Sequence, residues 1–171
     1  MRILVLIIMV INFLIGSAAA IGTSVKIKDE MSSIEESKKS MEEALKSYEG
    51  IAADSPEIQA KIKEAKDSLE ELPSSGMASI SSIIGYLLAI LALVTVVFAF
   101  MKKELVQKLA FGLIGLSILF WLLTPSIDLG MLGGANPKQT AMVTAIFLVV
   151  SGACAFFSYK LYLKKLETAT V

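Results

Sequence analysis

Four runs without a charged side chain, residues 3–25, 72–101, 109–127 and 139–159, constrain this chain more than any other feature. A bilayer's hydrocarbon core, about 30 Å thick, is crossed by roughly 20 apolar residues of helix at about 1.5 Å each. Ile80 to Met101 and Thr140 to Tyr159 meet that length. Leu109 to Ile127 is shorter and contains Thr124-Pro125, where a helix should stop because proline lacks an N–H and disfavours helical geometry in the residue before it. Lipid offers the backbone no hydrogen-bond partner, so each run is expected as a helix. An apolar fraction of 55% and a mean hydropathy of +0.71 fit this reading, since soluble domains carry about 45–50% apolar residues. The expected fold class is all-α: an integral membrane helical bundle of three or four transmembrane helices with an extracytoplasmic antiparallel helical hairpin.

The first run has two readings. Met1-Arg2 is a short basic start, Ile3 to Ile15 is apolar, and Gly16-Ser17-Ala18-Ala19-Ala20 follows, with Ala18 and Ala20 in an A-x-A-like arrangement. That is the pattern of a secretory signal peptide. The same stretch, Ile3 to Gly22, is also about long enough to span as a first transmembrane helix. Residues 1–22 are therefore either a signal peptide or a first transmembrane helix, residues 23–76 a coiled-coil-like hairpin, and residues 77–171 three spans with a short tail.

Lysine placement orients the chain. Lys102, Lys103 and Lys108 crowd one short loop, Lys160, Lys164 and Lys165 follow the last run, and Arg2 precedes the first. Basic residues favour the cytoplasmic side. The expectation is a multi-pass protein of the cell membrane with residues 23–77 extracytoplasmic and the C-terminus cytoplasmic. Both readings of residues 1–22 give this topology. The charge of the whole chain balances at 16 basic against 16 acidic side chains, and residues 23–77 hold eight lysines against thirteen acids. Bulk charge thus gives no reason to expect a nucleic-acid partner; the expected partners are the lipid bilayer and either further copies of the chain or a membrane-protein complex.

Residues 26–72 change character. Ile27, Ile34, Met41 and Tyr48 repeat every seven residues, with Met31 and Leu45 four after members of that series, which makes one narrow apolar stripe on a helix. Glu35 with Lys39 and Glu42 with Lys46 add acid-first pairs four apart. Gly50 offers a stop, and Asp54-Ser55-Pro56-Glu57 a new start with a capping side chain and proline in the first turn. From there Ile58, Ile62, Ala65, Leu69 and Leu72 alternate spacings of four and three, the seam of a coiled coil. Pro73-Ser74-Ser75-Gly76 closes the second arm. Arms this short hold poorly alone, so Ile27, Ile34, Met41, Tyr48, Ile58, Ile62 and Leu69 are the candidate interaction residues.

Chemistry-bearing motifs are scarce. Histidine is absent, which removes the commonest general base and metal ligand, and no Asp, Glu, Lys or Arg lies inside the spans. No nucleophile–base pair or metal-ligand cluster is expected, hence no catalytic residue, cofactor or metal site. Small residues at helix-packing intervals, Ser81, Gly85 and Ala89, then Gly112 and Gly115, and Ala141 with Ala145 and Ser151 with Ala155, point to closely packed spans. Between the last two spans, the glycine-rich loop with Asp128 and Asn136 has the composition of a re-entrant or interfacial segment. The expected function is non-enzymatic: an accessory or scaffold subunit of a larger membrane or envelope complex that uses the outward hairpin for interaction. The alternative is an oligomeric channel or pore.

Overall fold

The computed structural model describes residues 1–49, 56–70, 75–126 and 136–169. Within them the chain forms five helices: α1 (Arg2–Glu49), α2 (Pro56–Glu70), α3 (Ser75–Phe100), α4 (Leu105–Leu123) and α5 (Pro137–Ala169). No strand occurs among the described residues. All but α2 are long and apolar enough to cross a membrane.

Charge exclusion accounts for these elements and local chemistry for their ends. Glu49 closes α1 one residue before Gly50, and Pro56 opens α2 at the first helical position, where its missing N–H costs nothing. α4 stops at Thr124, whose N–H still reaches the Phe120 carbonyl at 3.0 Å before the backbone turns extended ahead of Pro125. Asn136 caps α5: its Oδ1 accepts the Lys138 backbone N–H at 2.9 Å. The first turn of α3 takes in Ser75 and Gly76, ahead of the expected span.

Four helices run alternately up and down. At one end Arg2 donates from Nη2 to the Ala99 carbonyl of α3 at 3.2 Å and from Nε to Ser158 Oγ of α5 at 3.4 Å. The start of α1, the end of α3 and the distal part of α5 therefore meet there, beside the 101–104 connection into α4. At the other end Ser82 Oγ of α3 donates to the Ser24 carbonyl of α1 at 3.1 Å, and Ser81 Oγ shares a 2.8 Å hydrogen bond with Thr124 Oγ1 at the close of α4. Asn136 Nδ2 then donates to Ser126 Oγ at 3.0 Å, so the start of α5 joins the same end. In the bundle, α1 packs between α3 and α5, and α4 packs against the same two.

The core is one apolar column. Leu88, Ala92, Leu113, Phe120, Ala141 and Leu148 fill the half nearer the hydroxyl end, and Met9, Ala99, Val106, Ala110 and Ala155 fill the half nearer Arg2. The outward surfaces of the four long helices remain apolar, with Ile3, Ile83, Ile90, Phe111 and Phe157 each more than half exposed. A fold that presents this surface is stable in hydrocarbon and would be an aggregation hazard in water.

Three of the helix crossings depend on a glycine. A Cβ built on Gly16 of α1 would lie 2.6 Å from Leu148 Cδ2, and one on Gly152 of α5 would lie 2.9 Å from Ile114 Cγ1 and 3.1 Å from the Ala110 carbonyl. On Gly85 of α3 it would collide with Ser24 Oγ and sit 3.1 Å from the Ala20 carbonyl. In lipid, association rests on close packing and interhelical hydrogen bonds, because the surroundings are as apolar as the core. At Gly85 and Gly152 the neighbouring helix brings its backbone close, and at Gly16 the Leu148 side chain fills the space a Cβ would take.

α3 ends in a Schellman turn. Lys103 N–H reaches the Phe98 carbonyl at 3.3 Å and Lys102 N–H the Ala99 carbonyl at 3.4 Å, with Lys102 at φ 56°. Glycine usually takes that left-handed position, since a side chain there costs roughly 1–2 kcal/mol.

Candidate interaction surface

α1 carries the most function-relevant geometry. It runs through Gly16 to Gly22 without a break, so the run read as signal peptide or span and the first arm of the expected hairpin are one helix of 48 residues. At about 1.5 Å per residue that is a rod of roughly 70 Å. Its first half is embedded in the bundle. Met9, Ala20 and Ser24 are wholly buried, and the Met9 carbonyl accepts a hydrogen bond from Ser151 Oγ of α5 at 3.2 Å. Of the small residues that resemble a cleavage site, Gly16, Ser17 and Ala20 are buried where α1 closes on α3 and α5, whereas Ala18 is exposed.

Beyond Val25 the apolar stripe continues, and its burial fades with distance from the bundle. Ile27 is fully buried and Met31 nearly so, both against Ala78 of α3, and Ile34 packs at the margin of this cluster. Further out Met41 is 46% and Tyr48 57% exposed. The second arm follows the same trend: Leu69, near the bundle, is buried, Ile62 is half-buried, and Ile58 is 37% exposed. α2 makes only a light contact with α1. The expected turn at residues 50–55 and the seam position Leu72 lie outside the described residues.

Where the arm meets the bundle, α1 and α3 leave a cleft of about 440 Å³. Lys28, Ser32 and Glu35 line it from α1, and Ser79, Ser82 and Tyr86 from α3. Lys26 and Glu30 pair beside it at 3.6 Å. A hydroxyl belt underlies this end: Thr23 and Ser24 donate to Ala19 and Ala20 carbonyls, Ser117 to Leu113 and Thr144 to Thr140. These buried hydroxyls are satisfied on their own helices, as an apolar interior favours, whereas Ser17 Oγ of α1 is buried without a partner.

The packing candidates divide. Ser81 and Gly85 lie in the α1–α3–α4 contact and are buried, Ala89 is half-buried, and Ala141, Ala145, Ser151 and Ala155 are buried along α5. Gly112 and Gly115 lie on the exposed face of α4; a Cβ on Gly112 would just touch Leu91 at 3.9 Å and one on Gly115 would meet nothing. Gly16 and Gly152 perform the role spacing had suggested for them. Spacing shows that a helix has a small face but not which way it points. Asn136 is occupied in capping α5 and tying it to Ser126, and Asp128 lies outside the described residues. No group of three or more His, Cys, Asp or Glu side chains converges on a metal-sized site among the described residues.

No protein-family model, curated protein or solved structure matches the chain. Geometry and sequence chemistry therefore carry the functional reading.

Proposed function

We propose that the protein is a non-enzymatic, multi-pass membrane subunit that keeps its first helix as a span and presents the α1–α2 arm, outside the cytoplasm, as the docking element for a larger membrane or envelope complex. One observation carries this reading: a seam packed at Ile27 and Met31 runs, without a helix break, to exposed Met41 and Tyr48. An apolar row that continues past its own partner is a row available to another. The alternating helix directions place Arg2, Lys102, Lys103 and the lysines of the α5 tail at one end, and positive-inside bias makes that end cytoplasmic. Leu88, Leu113, Phe120 and Leu148 fill the axis of the single bundle, so the alternative of an oligomeric pore requires a conduit between copies of the chain.

A photo-crosslinking amino acid placed at Met41 or Tyr48 in living cells tests the reading. Discrete higher-mass adducts are expected from both positions, with none from Glu43 on the opposite face. Recovery of the uncrosslinked chain alone from all three positions would reject it.

A further inference from the structure

At the Arg2 end of the bundle a cleft of about 520 Å³ opens between the start of α1, the α3–α4 connection and the last turns of α5. Its charged walls are Arg2, Lys102 and Lys165, with the chain's first residue beside them, and no acidic side chain lines it among the described residues. Two of these cations share one ring: the Arg2 guanidinium and the Lys102 ammonium each lie 5.3 Å from the centre of Tyr162. Arg2 uses Nε and Nη2 on Ser158 and Ala99, and its other N–H groups are left for an external acceptor. Lys102 is itself the left-handed residue just past the end of α3, where glycine would be the ordinary choice. Like charges brought together this way repel unless an anion joins them.

The surroundings say which kind of anion. Ile3 lines the basic cleft and also a second, wholly apolar groove of about 320 Å³, which Leu6, Ile7, Val10 and Ile11 of α1 form with Phe100. A charged pocket and an apolar track along the outward side of α1 therefore adjoin at Ile3. We infer that this end of the bundle holds one anionic phospholipid, its phosphate among Arg2, Lys102 and Lys165 and an acyl chain along the groove. Arginine offers a planar fork to phosphate oxygens and lysine a mobile point charge. Basic pockets between membrane helices on the cytoplasmic side suit such headgroups. The inference rests on α1 being retained as a span.

Native mass spectrometry of the full chain in neutral detergent tests it, with phosphatidylglycerol and phosphatidylcholine of matched acyl chains as probes. One phosphatidylglycerol should remain bound under activation that strips phosphatidylcholine. Arg2→Gln, Lys102→Gln and Lys165→Gln should each reduce retention about fivefold, whereas Lys160→Gln, whose ammonium lies over Phe156, should not. Lys102 and Lys165 are exposed, so these two variants decide the matter should Arg2→Gln fail to fold. Equal retention of the two lipids, Gln variants that bind like the parent, or displacement of the lipid by inorganic phosphate alone would each overturn it. The same spectrum gives the intact mass. A full-length chain without lipid preference removes the site and leaves the span, whereas a chain that lacks Arg2 removes both.

Discussion

The two halves of α1 share one backbone and one apolar stripe, yet they live by different rules. From Arg2 to Ile27 nearly every turn meets α3 or α5, and glycine, alanine and serine set the distance of approach. From Lys28 to Glu49 the helix leaves α3 behind after Met31 and Ile34 and then has only α2 as a light companion, with Glu35, Lys39, Glu42 and Lys46 exposed. The first half is held by tertiary packing. The second is held by helix propagation from the first, with the Lys26–Glu30 pair straddling the boundary, because an isolated helix of that length is marginal in water. Stability and availability for binding are therefore segregated along a single element.

The largest expected effect of a substitution lies in the embedded half's surroundings. Phe120→Ala empties the centre of the bundle and should destabilise it by about 2–3 kcal/mol, somewhat below the aqueous range because lipid already solvates the unfolded reference. Gly85→Val, which drives a side chain into Ser24 and the Ala20 carbonyl, should cost about 1–3 kcal/mol, while Gly115→Val should be close to neutral. Reversible unfolding in mixed micelles measures all three, and equal midpoints for the two glycine variants would erase the distinction between inner and outer faces. Ser82→Ala removes one interhelical hydrogen bond to Ser24 and should cost about 0.6 kcal/mol. Smallest of all, Met41→Ala and Tyr48→Ala should change stability by less than about 0.5 kcal/mol. A loss comparable to Phe120→Ala in either would mean that the outer seam is core.

Much of this could be read from residue order because the deciding physics is local. Charge exclusion over about 20 residues marks a span whatever its neighbours, and Pro56, Thr124-Pro125 and Gly50 mark ends through their own backbone preferences. The continuity of α1 was harder to see. Gly16 to Ala20 is equally apt as a peptidase site and as a helix-packing face, and the contact of Gly16 with Leu148 of α5 is one that no local window contains. The basic cleft was hidden for a related reason. Arg2, Lys102 and Lys165 are far apart in sequence, and each reads singly as a topology signal. Their convergence on one cleft, where Arg2 and Lys102 share Tyr162, follows from helix lengths and crossings that no local window contains.

Because α1 has no hinge, the direction in which Tyr48 points is set by the angle at which Gly16 and Ala20 seat the helix against its neighbours. One added residue beyond Ile34 would turn everything after it by about 100° and advance it about 1.5 Å. Seven added residues would return the seam almost to its original bearing while lifting it by about 10 Å. The arm behaves like a clock hand fixed to its spindle: its length can drift with little consequence for bearing, but its phase cannot.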